Sequence, residues 1–92
     1  MADIPTVWVF TGPRAQFSSG VFSTLEFAEL WIRRNGLTGT LTRYPVDEGV
    51  YDWAVRSGFF TASKPEQLTA EFVSRFSAAN QEHYHYENGK RD

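Results

Sequence analysis

The chain has 92 residues, of which 41% are hydrophobic, 16% aromatic and 22% charged, a composition typical of a globular rather than a disordered protein. It contains no cysteine, so disulfides, thiolate zinc sites and thiol nucleophiles are excluded. A formal net charge of −2 disfavours nucleic acid as a partner, because neutralising phosphates requires clustered Lys and Arg. No stretch approaches the roughly 18 apolar residues of a membrane span, so we expect a cytoplasmic protein without a membrane partner.

The first predicted strand is TVWVFTG, residues 6–12, where β-branched and aromatic residues precede a turn. Val7 and Val9 alternate with Trp8 and Phe10, so both faces of this strand are apolar. Strands of this type are normally covered on both faces, so we expect it to lie within the sheet.

The strongest helix signal lies in FSTLEFAELWIRRNGL, residues 22–37, where apolar residues recur at helical spacing. Three further signals mark its ends: a capping box of Ser23 with Glu26, a hydrophobic staple of Phe22 with Phe27, and Gly36 as the C-terminal glycine.

Further elements follow along the chain. TGTLTRYPV, residues 38–46, predicts a strand, and Asp47 is then expected to cap a short helix over residues 48–57. A strand is the competing interpretation of that segment. Thr69 is expected to cap a third helix over residues 70–80.

The stretch QEHYHYENG near the end of the sequence alternates two histidines with two tyrosines. In a strand, His83, His85 and Glu87 share one face, and Tyr84 and Tyr86 share the other. Two imidazoles and a carboxylate could form a metal or hydrolase-like site, although the chain has no third histidine. Alternation explains the same residues with tyrosines on the core and histidines toward solvent, so we favour a strand with no metal and no cofactor.

These elements predict an α+β fold in which a single small antiparallel sheet of three to four strands packs with about three helices. A brief second strand is expected around residues 21–22. Residues 1–92 are expected to form a single globular domain with a short disordered tail at about 89–92.

The stretch PVDEGVYDWA combines carboxylates with aromatic residues. Paired carboxylates can divide acid and base roles in catalysis, but helix capping by Asp47 and a solvated face with Glu48 and Asp52 explain them more simply. Trp53 and Tyr51 lie beside these carboxylates, and exposed aromatic residues are common interface anchors. We therefore predict these five residues as a surface for a protein partner, and no catalytic residue.

Several blocks of the sequence together resemble a family of small bacterial proteins classed as a domain of unknown function. The blocks are VWVF.G, FSSGVFST.E.A..WI, L.GTLT.YPVD.GVYDWA...G.F, EF..RF and HYHYE.G. The resemblance covers nearly the whole chain and implies a bacterial cytosolic domain, with no catalytic residue carried over.

The sequence leads to two functional hypotheses. The first is a non-enzymatic protein-binding module, in the manner of bacterial immunity proteins that neutralise a toxin partner. The second is a small metal-binding protein or hydrolase-like enzyme centred on His83 and His85. A homodimer joined through the edge of the last strand is compatible with either hypothesis.

Overall fold

The computed structural model describes residues 5–92 and divides the chain into two compact units. The sheet unit comprises Met1–Val46 together with Gln81–Asp92, and the aromatic unit comprises Asp47–Asn80. In the described part of the chain, no helix has the length and apolar character needed to cross a membrane.

Within residues 5–92, the sheet unit contains one antiparallel sheet of five strands in the order β2-β1-β3-β4-β5. The strands are β1 (Thr6–Thr11), β2 (Gly20–Phe22), β3 (Gly39–Pro45), β4 (His83–Glu87) and β5 (Lys90–Arg91). Helix α1 (Leu25–Asn35) packs on one face of the sheet. The α+β prediction is confirmed, but the predicted count of three to four strands is wrong.

The strand that the sequence analysis missed is β5, which pairs with β4 through Glu87 and Lys90. Asn88 (φ 52°) and Gly89 (φ 87°) connect the two strands, both with positive φ. A two-residue turn of this kind matches the right-handed twist of the strands, and Asn-Gly is its preferred sequence. Residues 89–92 therefore include a hairpin strand where a disordered tail was predicted.

The core of the sheet unit lies between α1 and the sheet. Its buried residues are Trp8, Phe10, Ala28, Ile32, Leu41 and Tyr86. Val7 and Val9, on the opposite face of β1, are only half-buried. The expectation that β1 is covered on both faces is therefore met on the α1 face alone, although β1 does lie between β2 and β3.

Helix α1 begins one residue later than its capping signals predict. Thr24, not Ser23, is the N-cap: its backbone is extended, and its hydroxyl oxygen accepts a hydrogen bond of 3.1 Å from the Phe27 N–H. Phe27 is 61% exposed, while the Phe22 ring packs against Trp31 at 5.3 Å between centroids, so the predicted staple is not the main contact of Phe22.

The C-terminus of α1 follows the prediction. Gly36 adopts a left-handed conformation, and its N–H donates to the Arg33 carbonyl at 3.2 Å. The Leu37 N–H donates to the Ile32 carbonyl at 3.0 Å. This pair of bonds is the Schellman motif, which satisfies carbonyls that would otherwise lack a partner at the helix end.

The aromatic unit contains α2 (Val50–Arg56), a 3-10 turn (Pro65–Leu68) and α3 (Ala70–Ser74). Residues 48–57 are thus mainly helical, and the competing strand interpretation is wrong. Asp47 does not cap α2, because Gly49 occupies the N-cap position without a side-chain hydrogen bond. The predicted cap is wrong because Asp47 lies in the turn before α2, where it adopts a positive φ of 63°.

The cap of α3 is predicted correctly, but its length is not. The Thr69 hydroxyl oxygen accepts a hydrogen bond of 3.2 Å from the Phe72 N–H. The helix ends after five residues instead of continuing to residue 80. The Ser74 hydroxyl donates to the Glu71 carbonyl, and such local bonds from serine compete with regular helix bonds.

Candidate protein-interaction surface

Four aromatic rings contact one another at the centre of the aromatic unit and form a four-ring cluster: Tyr51, Phe60, Phe72 and Phe76. Their centroid distances range from 4.9 Å between Phe60 and Phe76 to 6.2 Å between Tyr51 and Phe72. The Tyr51 hydroxyl donates a hydrogen bond of 2.9 Å to the Gln67 carbonyl. Edge-on and offset contacts of this kind are the favoured arrangements of aromatic rings. The cluster therefore joins α2, α3 and the segment between them.

A second pair of rings lies at the end of α2. The Phe59 N–H donates to the Ala54 carbonyl at 2.8 Å, and the Gly58 N–H donates to the Val55 carbonyl at 3.2 Å. These are the two bonds of a Schellman motif, which commonly brings the residue after its glycine against the last helical turn. Here that residue is Phe59, whose ring lies 5.4 Å from Trp53. Helix termination thus holds Trp53 and Phe59 together.

The aromatic unit leaves its rings accessible. All of its residues are described, and Ala54 is the one that is buried. Phe59 is 49% exposed and Leu68 is 69% exposed. The rings that remain partly or largely accessible are those of Tyr51, Trp53, Phe59, Phe60, Phe72 and Phe76. Exposed apolar side chains also lie in the sheet unit, at Phe17, Val21, Phe27 and Leu30. Accessible aromatic and aliphatic side chains are common at protein-interaction sites.

The aromatic unit also carries the excess negative charge of the chain. Its five carboxylates are Asp47, Glu48, Asp52, Glu66 and Glu71, and its three cationic residues are Arg56, Lys64 and Arg75. The whole chain has 11 acidic and 9 basic residues, so six of each lie in the sheet unit. The formal net charge of −2 therefore comes entirely from the aromatic unit.

The residues of the predicted interface all belong to this unit, but they differ in accessibility. Asp47 and Asp52 are exposed, and Trp53 is half-buried beside Phe59. Tyr51 belongs to the four-ring cluster, so its main contacts are internal.

Glu48 has an internal partner for its charge. Both of its carboxylate oxygens accept hydrogen bonds from the Arg56 guanidinium, at 2.9 and 2.8 Å. This bidentate contact holds the pKa of Glu48 below its usual value and raises that of Arg56. Asp47 and Asp52 are consequently the more available carboxylates of the predicted interface.

A surface cleft of about 670 Å³ lies along α3, and the sequence analysis did not identify it. Two of its lining residues, Glu71 and Arg75, form an exposed ion pair of 3.3 Å. The full lining consists of Glu66, Thr69, Glu71, Phe72, Arg75, Phe76 and Ser77. In the sequence, apolar residues recur at helical spacing in this segment, and the segment was interpreted as a longer helix. The helix that forms is too short to bury those apolar residues.

The two histidines lie on the exposed face of β4, as the alternation predicts. Their ring centroids are 5.5 Å apart and the rings are perpendicular. His83 Nδ1 contacts the Gln81 carbonyl at 2.7 Å, and His85 Nδ1 contacts the Thr40 hydroxyl at 3.3 Å. Both Nδ1 atoms therefore have internal partners, which leaves Nε2 on each ring for any external ligand.

Glu87, the carboxylate of the alternative metal site, does not form a set of metal ligands with the two histidines. Glu87 is exposed on the same strand. Among residues 5–92, no three His, Asp or Glu side chains are grouped so that they could hold a metal ion.

The two tyrosines of β4 face α1, with their hydroxyls bonded to carboxylates. Tyr86 is buried and donates a hydrogen bond of 2.5 Å to Glu29, while Tyr84 donates one of 2.5 Å to Glu82. Burial, together with the bond to Glu29, raises the pKa of the Tyr86 phenol well above its usual value. Tyr86 therefore stays protonated and serves as a structural hydrogen-bond donor.

Residues 7–92 match the model of one protein family, described as Domain of unknown function (DUF7710). The match covers most of the sequence, so this small α+β protein belongs to that family. Comparisons with curated proteins and with solved structures each returned no significant match.

Proposed function

We propose that this protein is a non-enzymatic protein-binding module whose aromatic unit contacts a basic surface of a partner protein. The observation that carries the proposal is the combination found in Asp47–Asn80: accessible rings beside an excess of carboxylates. A few residues, often Trp, Tyr or Arg, supply most of the binding energy at protein interfaces, and charged residues around them select the partner and speed its approach.

The contact surface of this proposal centres on Trp53 and Phe59. Their rings are held together by the end of α2, so little side-chain entropy would be lost when a partner covers them. Asp52 lies in the first turn of the same helix and is exposed. A partner with an apolar pocket bordered by Lys or Arg fits this surface.

A narrower form of the proposal is an immunity-type inhibitor in the bacterial cytoplasm, which neutralises a toxin by covering a basic surface. The excess of carboxylates in the aromatic unit supports this form, because it would attract a basic toxin surface. The resemblance of the sequence to a family of small bacterial proteins also supports this immunity-type form.

Site-specific photo-crosslinking in the native cells tests the proposal. A photoreactive phenylalanine analogue is placed at Phe59 or at Leu68, and the matched control carries it at Phe17, which is 76% exposed in the sheet unit. We expect the same basic protein to be captured from positions 59 and 68 and not from 17. Capture from position 17 alone, or from none of the three, contradicts the proposal.

Charge reversal then tests the chemistry with the purified captured protein. Asp52→Lys is expected to weaken binding about tenfold or more, since it brings a cation against a basic surface. Glu26→Lys is the matched control, because Glu26 occupies the first turn of α1 in the sheet unit. Equal weakening by both variants would show that the effect is a general one of net charge.

A further inference from the structure

The solvent side of α1, in the sheet unit, carries a surface cleft. Its volume is about 360 Å³. Phe27 and Leu30, which are 61% and 54% exposed, form part of its wall. The full lining consists of Phe22, Phe27, Leu30, Trp31 and Arg34. An apolar lining of this kind on the solvent side of a helix is typical of a surface that contacts another protein.

Four of the lining residues have the spacing of a packing hole between helices. Positions 27, 30, 31 and 34 are i, i+3, i+4 and i+7 of α1, so their side chains are neighbours on the helix surface. When two helices pack side by side, a side chain of one helix inserts into a hole formed by four residues of the other. The cleft of α1 is therefore shaped to receive a side chain from a second helix.

The floor of the cleft is fixed by the core of the sheet unit. Ala28 and Ile32 of α1 are fully buried in that core. The Trp31 ring contacts Phe10 at 5.7 Å and Phe22 at 5.3 Å between centroids. Trp31 therefore loses little conformational entropy when a second helix fills the cleft.

Arg34, at the rim of the cleft, is exposed and has no partner for its charge among residues 5–92. It forms no ion pair and no cation–π contact with them. The carbonyls at the end of α1 do not bind it, because they accept hydrogen bonds from Asn35, Gly36 and Leu37. Its guanidinium is therefore available to a group on another molecule.

The lining residues of α1 are placed symmetrically about one point of the helix. Leu30 and Trp31 are the central pair, Phe27 lies three residues before that pair, and Arg34 lies three residues after it. When two copies of α1 pack antiparallel about a two-fold axis at this point, Phe27 of each copy meets Arg34 of the other. A guanidinium over an aromatic ring is attracted by the quadrupole of the ring. The surface is thus complementary to itself, as a two-fold interface requires.

We propose that this protein forms a homodimer in which the α1 helices of two copies pack antiparallel, with Leu30 of each copy in the cleft of the other. Two contacts between Phe27 and Arg34 flank the axis. The antiparallel arrangement also brings opposite ends of the two helix dipoles together. This contact is a helix pair and not the strand edge considered from the sequence. It does not depend on the proposed function, because its residues all belong to the sheet unit.

Sedimentation equilibrium of the intact protein tests the proposal. Between about 10 µM and about 1 mM, we expect a mass that rises with concentration toward twice the 10.5 kDa of one chain. Leu30→Glu is expected to keep the single-chain mass over the same range, because it places two carboxylates at the axis. Val55→Glu is the matched control, since Val55 is an exposed apolar residue of α2. A wild type that stays at the single-chain mass, or equal dimer fractions for the two variants, would overturn the proposal.

A charge exchange tests the antiparallel register of the two helices. Phe27→Arg is expected to raise the dissociation constant of the dimer about tenfold or more, because it brings two cations together on each side of the axis. Adding Arg34→Glu to the same chain is expected to lower that constant again by about fivefold or more, since positions 27 and 34 of opposite copies would then form ion pairs. Both positions are exposed, and circular dichroism shows that each variant folds. A folded double variant that dimerises no better than Phe27→Arg would contradict this contact.

Discussion

At the scale of single residues, the packing of Gly39 sets a limit on the central strand of the sheet. A Cβ atom at this position would lie 2.5 Å from the Thr11 carbonyl oxygen and 2.6 Å from the Phe10 ring. Both distances are far below ordinary contact, and one of the two atoms belongs to the backbone. Glycine at position 39 therefore permits the close contact of β1 and β3.

The first prediction concerns Gly39→Ala. We expect it to lower the free energy of unfolding by about 1–3 kcal/mol, since the added methyl group overpacks a well-filled contact. Urea unfolding followed by tryptophan fluorescence measures the change. Gly49→Ala is the control. A Cβ atom at position 49 would have an Asp52 side-chain oxygen as its nearest neighbour, at 3.2 Å, and a side chain can move aside more easily than backbone. A smaller loss in Gly39→Ala than in the control would contradict the packing argument.

The second prediction concerns the carboxyl group of Glu29. Partial burial alone would raise its pKa, but the hydrogen bonds from Tyr86 and Arg91 and the charges of Arg91 and Arg33 outweigh burial. The pKa is therefore held below its ordinary value of 4.5. A carboxyl with a lowered pKa stabilises the folded state above its unfolded pKa, and that contribution is lost as the pH falls through the folded pKa.

We therefore expect the free energy of unfolding to decrease between about pH 6 and pH 3. Glu29→Gln should show a shallower decrease over the same range, because its side chain does not titrate. Glu87→Gln is the control, since Glu87 is an exposed residue of β4. Parallel pH profiles for the wild type and Glu29→Gln would contradict the role of Glu29.

At the scale of elements, the sequence indicates some structures well and others poorly. The C-terminus of α1 was predicted correctly because Gly36 and Leu37 act through local backbone bonds. The N-terminus was placed one residue early, because Ser23 and Thr24 are both good caps and the choice depends on the backbone geometry of the loop from β2. In α1, local backbone signals identify where the helix ends, while the geometry of the preceding loop decides at which residue the helix begins.

The hairpin of β4 and β5 shows a different kind of error. Asn88-Gly89 is the strongest short-range hairpin signal, but only two residues follow it in the paired strand. So short a strand is not stable by itself. It forms because the turn bonds to Leu37 and Thr38, which lie far away in sequence.

The third prediction concerns this hairpin. We expect Gly89→Ala to lower the free energy of unfolding more than Gly58→Ala does, although both glycines have positive φ. Gly58 has nothing within 4 Å of its would-be Cβ, so its substitution carries only the backbone cost of about 1–2 kcal/mol. At Gly89 the contacts with α1 add steric overlap to that cost. Equal losses in chemical denaturation would contradict the contact between the turn and α1.

The candidate site was harder to predict than the fold. The sequence selected Asp47, Glu48, Asp52, Tyr51 and Trp53 from their proximity along the chain. Phe59 was not among the predicted interface residues, although its contact with Trp53 follows from the Schellman motif at Gly58. The cleft along α3 was not predictable, because it depends on where that helix ends.

At the scale of the whole molecule, the two units differ in how much they bury. The sheet unit contains the core cluster, including the fully buried Ile32 and Leu41. The aromatic unit buries only Ala54. Below about 40 residues a chain segment rarely buries enough surface to be stable alone. Local stability should therefore be unequal along the chain.

The fourth prediction concerns that inequality. We expect amides of β1, β3 and α1 to exchange with solvent at least about tenfold more slowly than amides of α2 and α3. Hydrogen exchange followed by NMR or mass spectrometry measures it in the intact protein. Equal protection in both units would show that the aromatic unit unfolds only together with the sheet unit.

The proposed function requires the aromatic unit to be the contact surface for a basic partner protein. The most direct test is the dissociation constant of the captured partner, measured by calorimetry for the wild type, Trp53→Ala and the control Phe17→Ala. We predict that Trp53→Ala raises Kd about 30-fold or more, as removal of a central interface tryptophan does, while Phe17→Ala changes it less than about twofold. A Kd that is unchanged in a folded Trp53→Ala variant would contradict an interface centred on the aromatic unit.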